Sequence, residues 1–252
     1  MSAHLALRSG NPALRADTFT NLPPLPVARH ETMTIEGTVN KTGLSLVILF
    51  IAAMFVWDRG TQGALPTSLI MAGVFGGLIV AIVTAFKQTW APYTTPAYAA
   101  LEGLALGGIS YMFEQSYPGI VIQAVFLTFG VLGALLLAYR SGLIQATENF
   151  KLGVFAATGG IGIVYLASFV LGFLGINVPL IHSSGTFGIL FSLGVVIVAA
   201  LNLVLDFDFI EEGAERGAPK YMEWYAAFGL LVTLIWLYLE ILRLLAKLQS
   251  RR

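Results

Sequence analysis

The chain has 252 residues, of which 57% are hydrophobic and 11% are charged, and its formal net charge at pH 7 is zero. This balance excludes a soluble protein with a large hydrated surface, and it indicates no nucleic-acid partner. The chain contains no cysteine, which excludes disulfides, thiolate metal sites and cysteine catalysis. We therefore expect a multi-pass membrane protein that has the lipid bilayer as its main partner.

The first 41 residues are polar, include a proline-rich stretch at residues 22–27 and lack the apolar run of a signal peptide. They predict a flexible tail without a packed core. One transmembrane domain is expected to follow over residues 42–252.

Apolar runs of the length that a membrane span needs, roughly 20 residues, then follow one another along the chain. They lie at residues 42–57, 64–86, 96–113, 119–139, 152–174, 186–205 and 224–245. This pattern predicts an all-α integral membrane protein with seven transmembrane helices. Because the first run is short and Glu102 interrupts the third, six spans with a re-entrant segment are the alternative.

Basic residues between the runs indicate orientation, because cytoplasmic loops accumulate Lys and Arg. With the N-terminus inside, the outer loops contain only Arg59, whereas the inner loops contain Lys87, Arg140, Lys151, Arg216 and Lys220. We therefore expect a cytoplasmic N-terminus. Seven spans would place the basic C-terminus outside, and this conflict leaves the side of the C-terminus open.

Small residues recur inside several runs and predict helices that approach one another closely. The positions concerned are Gly73, Gly76, Gly77, Gly103, Gly107, Gly159, Gly160 and Gly162.

Asp206 ends the sixth apolar run, where a carboxylate at the membrane edge often marks a pathway or a switch. Asn202 lies one helical turn earlier on the same face. The acids that follow predict a solvated loop, and they are Asp208, Glu211, Glu212 and Glu215. Asp206 is either part of that loop or a functional intramembrane acid.

Glu102 lies roughly 9 Å into the third run, at 1.5 Å per residue. It is either a hydrogen-bonded acid that stabilises packing or part of an ion or proton pathway. Lys87 ends the second run at a similar level, so Lys87, Glu102 and Asp206 would converge if their helices are neighbours. Such a cluster would be a candidate protonation switch.

The last run carries two acids. Glu223, at its start, is predicted to be an exposed residue favoured there by the helix dipole, although its level would also suit an interaction with Asp206. Glu240 is followed at i+3 by Arg243, a spacing that predicts an ion pair. Thr233 shares a helix face with Glu240, and this face could line an interior surface.

Four stretches resemble the Bax inhibitor-1 family. They are YAALEGLALGGIS at residues 98–110, the pair Leu205 and Asp206, LYLEILRLL at residues 237–245, and SGNPAL at residues 9–14. The last of these is similar to the start of a bacterial branch, which implies the bacterial inner membrane.

The resemblance implies a seven-helix bundle with the C-terminal helix in the centre, and a pH-sensitive Ca²⁺ leak. In the family, an aspartate ending the sixth helix and another in the seventh form a proton-sensing pair, held by an arginine of the second helix. Asp206 matches the first aspartate, whereas Thr233 falls at the second and Lys87 near the arginine. A single carboxylate titrates without the strong like-charge coupling of a close pair, so we expect a shallower or shifted pH response. The acids that could replace the missing one are Glu102, Glu223 and Glu240, of which Glu240 lies too far along its helix to contact Asp206.

We therefore expect a channel-like protein through which Ca²⁺ leaks, with protons and calcium as partners and no resident cofactor. Asp206 and Glu102 would be transient calcium ligands, since hard cations prefer oxygen. A proton-coupled transporter and a scaffold that regulates other membrane proteins stay open as alternatives. An enzyme is not expected, because Ser183 and Ser184 beside His182 lack a nucleophile elbow, and His4 and His30 complete no zinc motif.

Overall fold

The computed structural model describes residues 32–175 and 185–251. In this part of the chain seven α-helices form and no strand does, which confirms the predicted all-α class. The helices are α1 Ile35–Thr61, α2 Thr67–Phe86, α3 Ala91–Ser116, α4 Ile120–Arg140, α5 Glu148–Phe173, α6 Thr186–Glu215 and α7 Met222–Gln249.

Six of these helices are long and apolar enough to cross a membrane, and α3 is the exception. Its 26 residues would measure about 39 Å, so its length suffices and its polar residues lower its hydropathy. The helix continues through Glu102 without a break, which gives no support to a re-entrant segment there. The chain is a helical membrane bundle, as predicted.

The described residues fall into two compact units. The first contains residues 32–118 and 208–232, and the second contains residues 119–175, 185–207 and 233–251. In the first unit α3 packs against both α1 and α2. Gly103 and Gly107 of α3 lie against the backbone of α1 at Leu49 and Ala53, where a Cβ atom would collide. The prediction that glycines permit close packing is confirmed for this unit.

In the second unit the same prediction is wrong for α5. Gly159, Gly160 and Gly162 have no described atom within 4 Å of the position that a Cβ atom would take. Only 6% of the most apolar part of α5 is buried, against 67% for α7. The α5 glycines therefore face outward, whereas α7 is the most buried span, as expected for a central helix.

The acidic stretch after Asp206 also differs from its prediction, because α6 continues as a helix to Glu215. Phe209 and Ile210 are buried, so apolar side chains keep this segment helical and packed. The predicted loop over Asp208 to Glu215 is therefore wrong, whereas the predicted solvation is confirmed for Glu211 and Glu215, which are exposed.

Candidate functional site

Asp206 is fully buried in the interior of α6, with an exposed fraction of 0%. Among the described residues neither carboxylate oxygen has a hydrogen-bond partner. Thr233 of α7 is the polar side chain that interacts with Asp206, but the pair does not reach hydrogen-bond geometry. A buried carboxylate without donors is costly when ionised, and such an acid in a native structure calls for an explanation in function or in a bound water, ion or proton.

Asn202 adds a further buried oxygen one turn before Asp206. Its side-chain nitrogen donates to Oγ1 of Thr158 on α5 and to the carbonyl of Val198, both at 2.8 Å. Its Oδ1 atom has no partner in the described part of the chain. Since residues at i and i+4 share a helix face, α6 presents three buried oxygens without donors along one face.

Glu102 is half-buried on α3, and the hydroxyl of Tyr98 donates to its carboxylate. On α2, a Cβ atom at Gly77 would lie 2.8 Å from Glu102 Oε1, so this glycine leaves room for the carboxylate. The Tyr98 ring packs edge-on against Phe228 of α7, with ring centroids 5.0 Å apart. Glu102 is therefore a positioned, hydrogen-bonded acid.

Lys87 does not join this acid. It follows the last residue of α2, where it is exposed, and among the described residues it forms no salt bridge with Glu102. Glu102 and Lys87 belong to the first unit and Asp206 to the second. The predicted convergence thus fails for Lys87 and Glu102, because the chain turns at Lys87 and its side chain points to the exterior.

Glu223 differs most from its prediction, because it is fully buried and not exposed. Lys41 and Lys220 both form salt bridges with it. The backbone N–H and the hydroxyl of Thr34 donate to Glu223 Oε1 at 2.9 and 2.8 Å. Four donors therefore satisfy this carboxylate, which makes it an ion-paired structural acid in place of a free sensor.

Glu240 forms the predicted ion pair with Arg243, at 2.6 Å between Oε1 and Nη1. Tyr165 of α5 donates to the same oxygen at 3.0 Å. Oε2 is buried and has no partner in the described residues. Glu240 is thus half satisfied, between the extremes of Asp206 and Glu223.

Sequence reasoning missed a buried cation, Lys247, and the role of Tyr165. Lys247 Nζ donates to Ser192 Oγ at 2.8 Å and to the carbonyl of Gly188 at 3.1 Å. A signal existed for Lys247, since it lies two turns after Glu240 and so shares its face. No spacing pattern marks Tyr165.

The residues considered for enzyme chemistry lie outside the described part of the chain, and they are His4, His30, His182, Ser183 and Ser184. Within residues 32–175 and 185–251, no group of three or more His, Asp and Glu side chains is placed to hold a metal ion.

Comparison with known protein families gives a match. A family model described as Bax inhibitor 1 like matches residues 10–250, nearly the whole chain. No curated protein and no solved structure matches.

Proposed function

The chain belongs to the Bax inhibitor 1 like family, and from this premise we propose that it lets Ca²⁺ leak across its membrane in a pH-dependent way. Asp206 is the residue whose protonation controls the leak. The protein lies in the bacterial inner membrane with a cytoplasmic N-terminus, an orientation that the basic residues at the helix ends support.

One observation carries this proposal: Asp206 is completely buried and neither of its oxygens has a donor among the described residues. Its charge is therefore uncompensated within reach of a hydrogen bond. Gaining a proton or binding a cation each removes that imbalance. An acid in this state responds to both species, which is what a proton-controlled cation path requires.

Calcium suits the oxygens near Asp206, because Ca²⁺ is a hard cation that prefers carboxylate and amide oxygens. The Asn202 Oδ1 atom, on the same helix face, supplies a neutral oxygen beside the Asp206 carboxylate. Glu102, held by Tyr98 in the other unit, is a second acid that we propose as a calcium ligand. Both acids bind the ion transiently.

The threonine at position 233 determines how many protonation steps we expect in the pH response of the leak. Where two nearby carboxylates share protons, their titrations are coupled and take place in two separate steps. Asp206 has Thr233 as its polar neighbour on α7, so it titrates as a single group. The proposed leak follows one protonation step and not two.

The test is Ca²⁺ flux into liposomes that contain the purified protein, across a pH series. Wild type is compared with Asp206→Asn and with a matched control, Asp208→Asn, which makes the same chemical change two residues further along α6. We expect pH-dependent flux in wild type and in the control, and flux that no longer changes with pH in Asp206→Asn.

Two results contradict the proposal. Absence of wild-type flux at every pH would refute the leak and favour the transporter or the scaffold. An unchanged pH response in Asp206→Asn would keep the leak and refute Asp206 as its sensor.

A further inference from the structure

The start of α1 is fastened to the connection between α6 and α7. Met33 donates its backbone N–H to the carbonyl of Ala218 at 2.6 Å. Thr32 and Pro219 form an isolated antiparallel bridge. Met33 and Ala218 are 2% and 4% exposed, so this short pairing is buried.

Side chains strengthen the same junction around Glu223. Thr34 caps α1, since its Oγ1 accepts from the N–H of Gly37 at 3.0 Å, and this hydroxyl also donates to Glu223. Lys41, in the second turn of α1, pairs with the other Glu223 oxygen. A Cβ atom at Gly37 would collide with the Glu223 carboxylate. We call residues 32–41 and 218–223 together the α1 clamp.

The centre of the clamp is a network in which several donors share one buried carboxylate. Glu223 is 0% exposed, whereas the side chains of Lys41 and Lys220 are 20% and 47% exposed. A buried carboxylate that loses only some of its donors is costly. If the start of α1 leaves, Glu223 loses Thr34 and Lys41 and keeps only Lys220, so its carboxylate then has to reach water.

The position of the clamp links it to Asp206. Residues 218–223 join α6 to α7, the two helices that carry Asp206 and Thr233 further along their length. Holding this connection to α1 restrains both helices at their joined ends. Bistable packing of helix ends is a common way to switch a membrane or allosteric protein between states.

We propose that the α1 clamp is a gate, and that its release is the conformational step that permits the leak. This inference rests on the proposed function. The gate is held closed by contacts within the chain, in which donors from the start of α1 and from the α6–α7 connection bind the Glu223 carboxylate.

A cross-link tests the gate directly, since the chain has no cysteine of its own. Directly opposed residues of an antiparallel pair lie about 4.5 to 5.5 Å apart at Cα, within the range of a disulfide. The double variant Thr32→Cys with Pro219→Cys is reconstituted, oxidised, checked for the disulfide by mass spectrometry, and assayed for Ca²⁺ flux before and after reduction. Each single cysteine variant is the matched control.

We expect oxidation to lower the flux of the double variant by about tenfold, in line with usual coupling energies, and reduction to restore it. The single variants should respond to neither treatment. In the opposite direction, Lys220→Gln, which removes only the more exposed donor, should raise the flux about twofold.

The outcomes separate the two proposals. A verified disulfide that leaves the flux of a conducting protein unchanged would refute the gate and leave the leak intact. Absence of flux from wild type and from every reduced variant would refute the leak, and the gate with it. Flux that falls on oxidation and recovers on reduction supports both.

Discussion

Asp206 and Glu223 are both carboxylates with an exposed fraction of 0%, and their surroundings are opposite. Glu223 accepts from two lysines and from both donors of Thr34. Neither oxygen of Asp206 has a partner among the described residues. Burial is the same in the two places, so burial alone does not identify a functional acid.

The difference lies in the donors. A buried acid that is fully satisfied contributes to stability, and removing it leaves cations without a partner. A buried acid without donors costs stability, and a protein that keeps one gains something else from it. The comparison is the basis on which we propose a structural and gating role for Glu223 and a sensing role for Asp206.

The largest effect is expected for Glu223→Gln. The amide keeps the shape of the side chain but removes the charge that Lys41 and Lys220 face. We expect a loss of about 3 kcal/mol in the free energy of unfolding, the lower end for a broken buried pair because both lysines are partly exposed. Denaturant titration in lipid bicelles measures it. A loss that matches the value for Asp206→Asn would remove the distinction between the two acids.

Glu240 should give an intermediate effect, because one of its oxygens is bonded and the other is not. Glu240→Gln is expected to cost about 1 to 2 kcal/mol, and Tyr165→Phe, which removes one donor, about 1 kcal/mol. The same titration measures both. The double variant tests whether they act together: fully additive losses would show that the Tyr165 hydroxyl does not stabilise the protein through Glu240.

The two lysines of the clamp should differ according to their exposure. Lys41 is 20% exposed and lies 5.7 Å from the centroid of the Trp224 ring, so Lys41→Gln should lower the free energy of unfolding by about 1 kcal/mol. Lys220 is 47% exposed, so Lys220→Gln should lower it by about 0.5 kcal/mol. Repeating the titration at high salt should shrink the Lys220 effect more, since exposed pairs are screened more strongly. A larger loss for Lys220→Gln than for Lys41→Gln would mean that Glu223 interacts more strongly with Lys220 than with Lys41.

The smallest effect on stability is expected for Asp206→Asn. Because no donor is lost, the free energy of unfolding should stay within about 0.5 kcal/mol of wild type or rise. Asp208→Asn on the same helix is the matched control. A loss of several kcal/mol in Asp206→Asn alone would mean that Asp206 has a stabilising partner.

Much of the fold follows from the apolar runs, because a membrane span requires length and hydropathy that local sequence displays. The ion pair of Glu240 could also be predicted from the sequence, since its partner Arg243 lies three residues away on the same helix. The continuation of α6 from Asp208 to Glu215 could not be predicted in this way, because the buried Phe209 and Ile210 outweigh the acidic residues on either side of them.

The surroundings of Glu223 could not be predicted for a different reason. Its partners Thr34 and Lys41 lie 189 and 182 residues away along the chain, in a segment whose composition suggests a tail. Only tertiary packing brings them to the start of α7. The same holds for Lys87, whose predicted meeting with Glu102 depended on side-chain directions that composition does not encode.

The most direct test of the difference between Asp206 and Glu223 is infrared spectroscopy of the reconstituted protein as the pH is lowered, following the carbonyl band of protonated carboxyl groups. Wild type is compared with Asp206→Asn and Glu223→Gln. Our account predicts a band that grows as the pH falls, loses one component in Asp206→Asn and keeps that component in Glu223→Gln. A component that persists in Asp206→Asn and disappears in Glu223→Gln would contradict it.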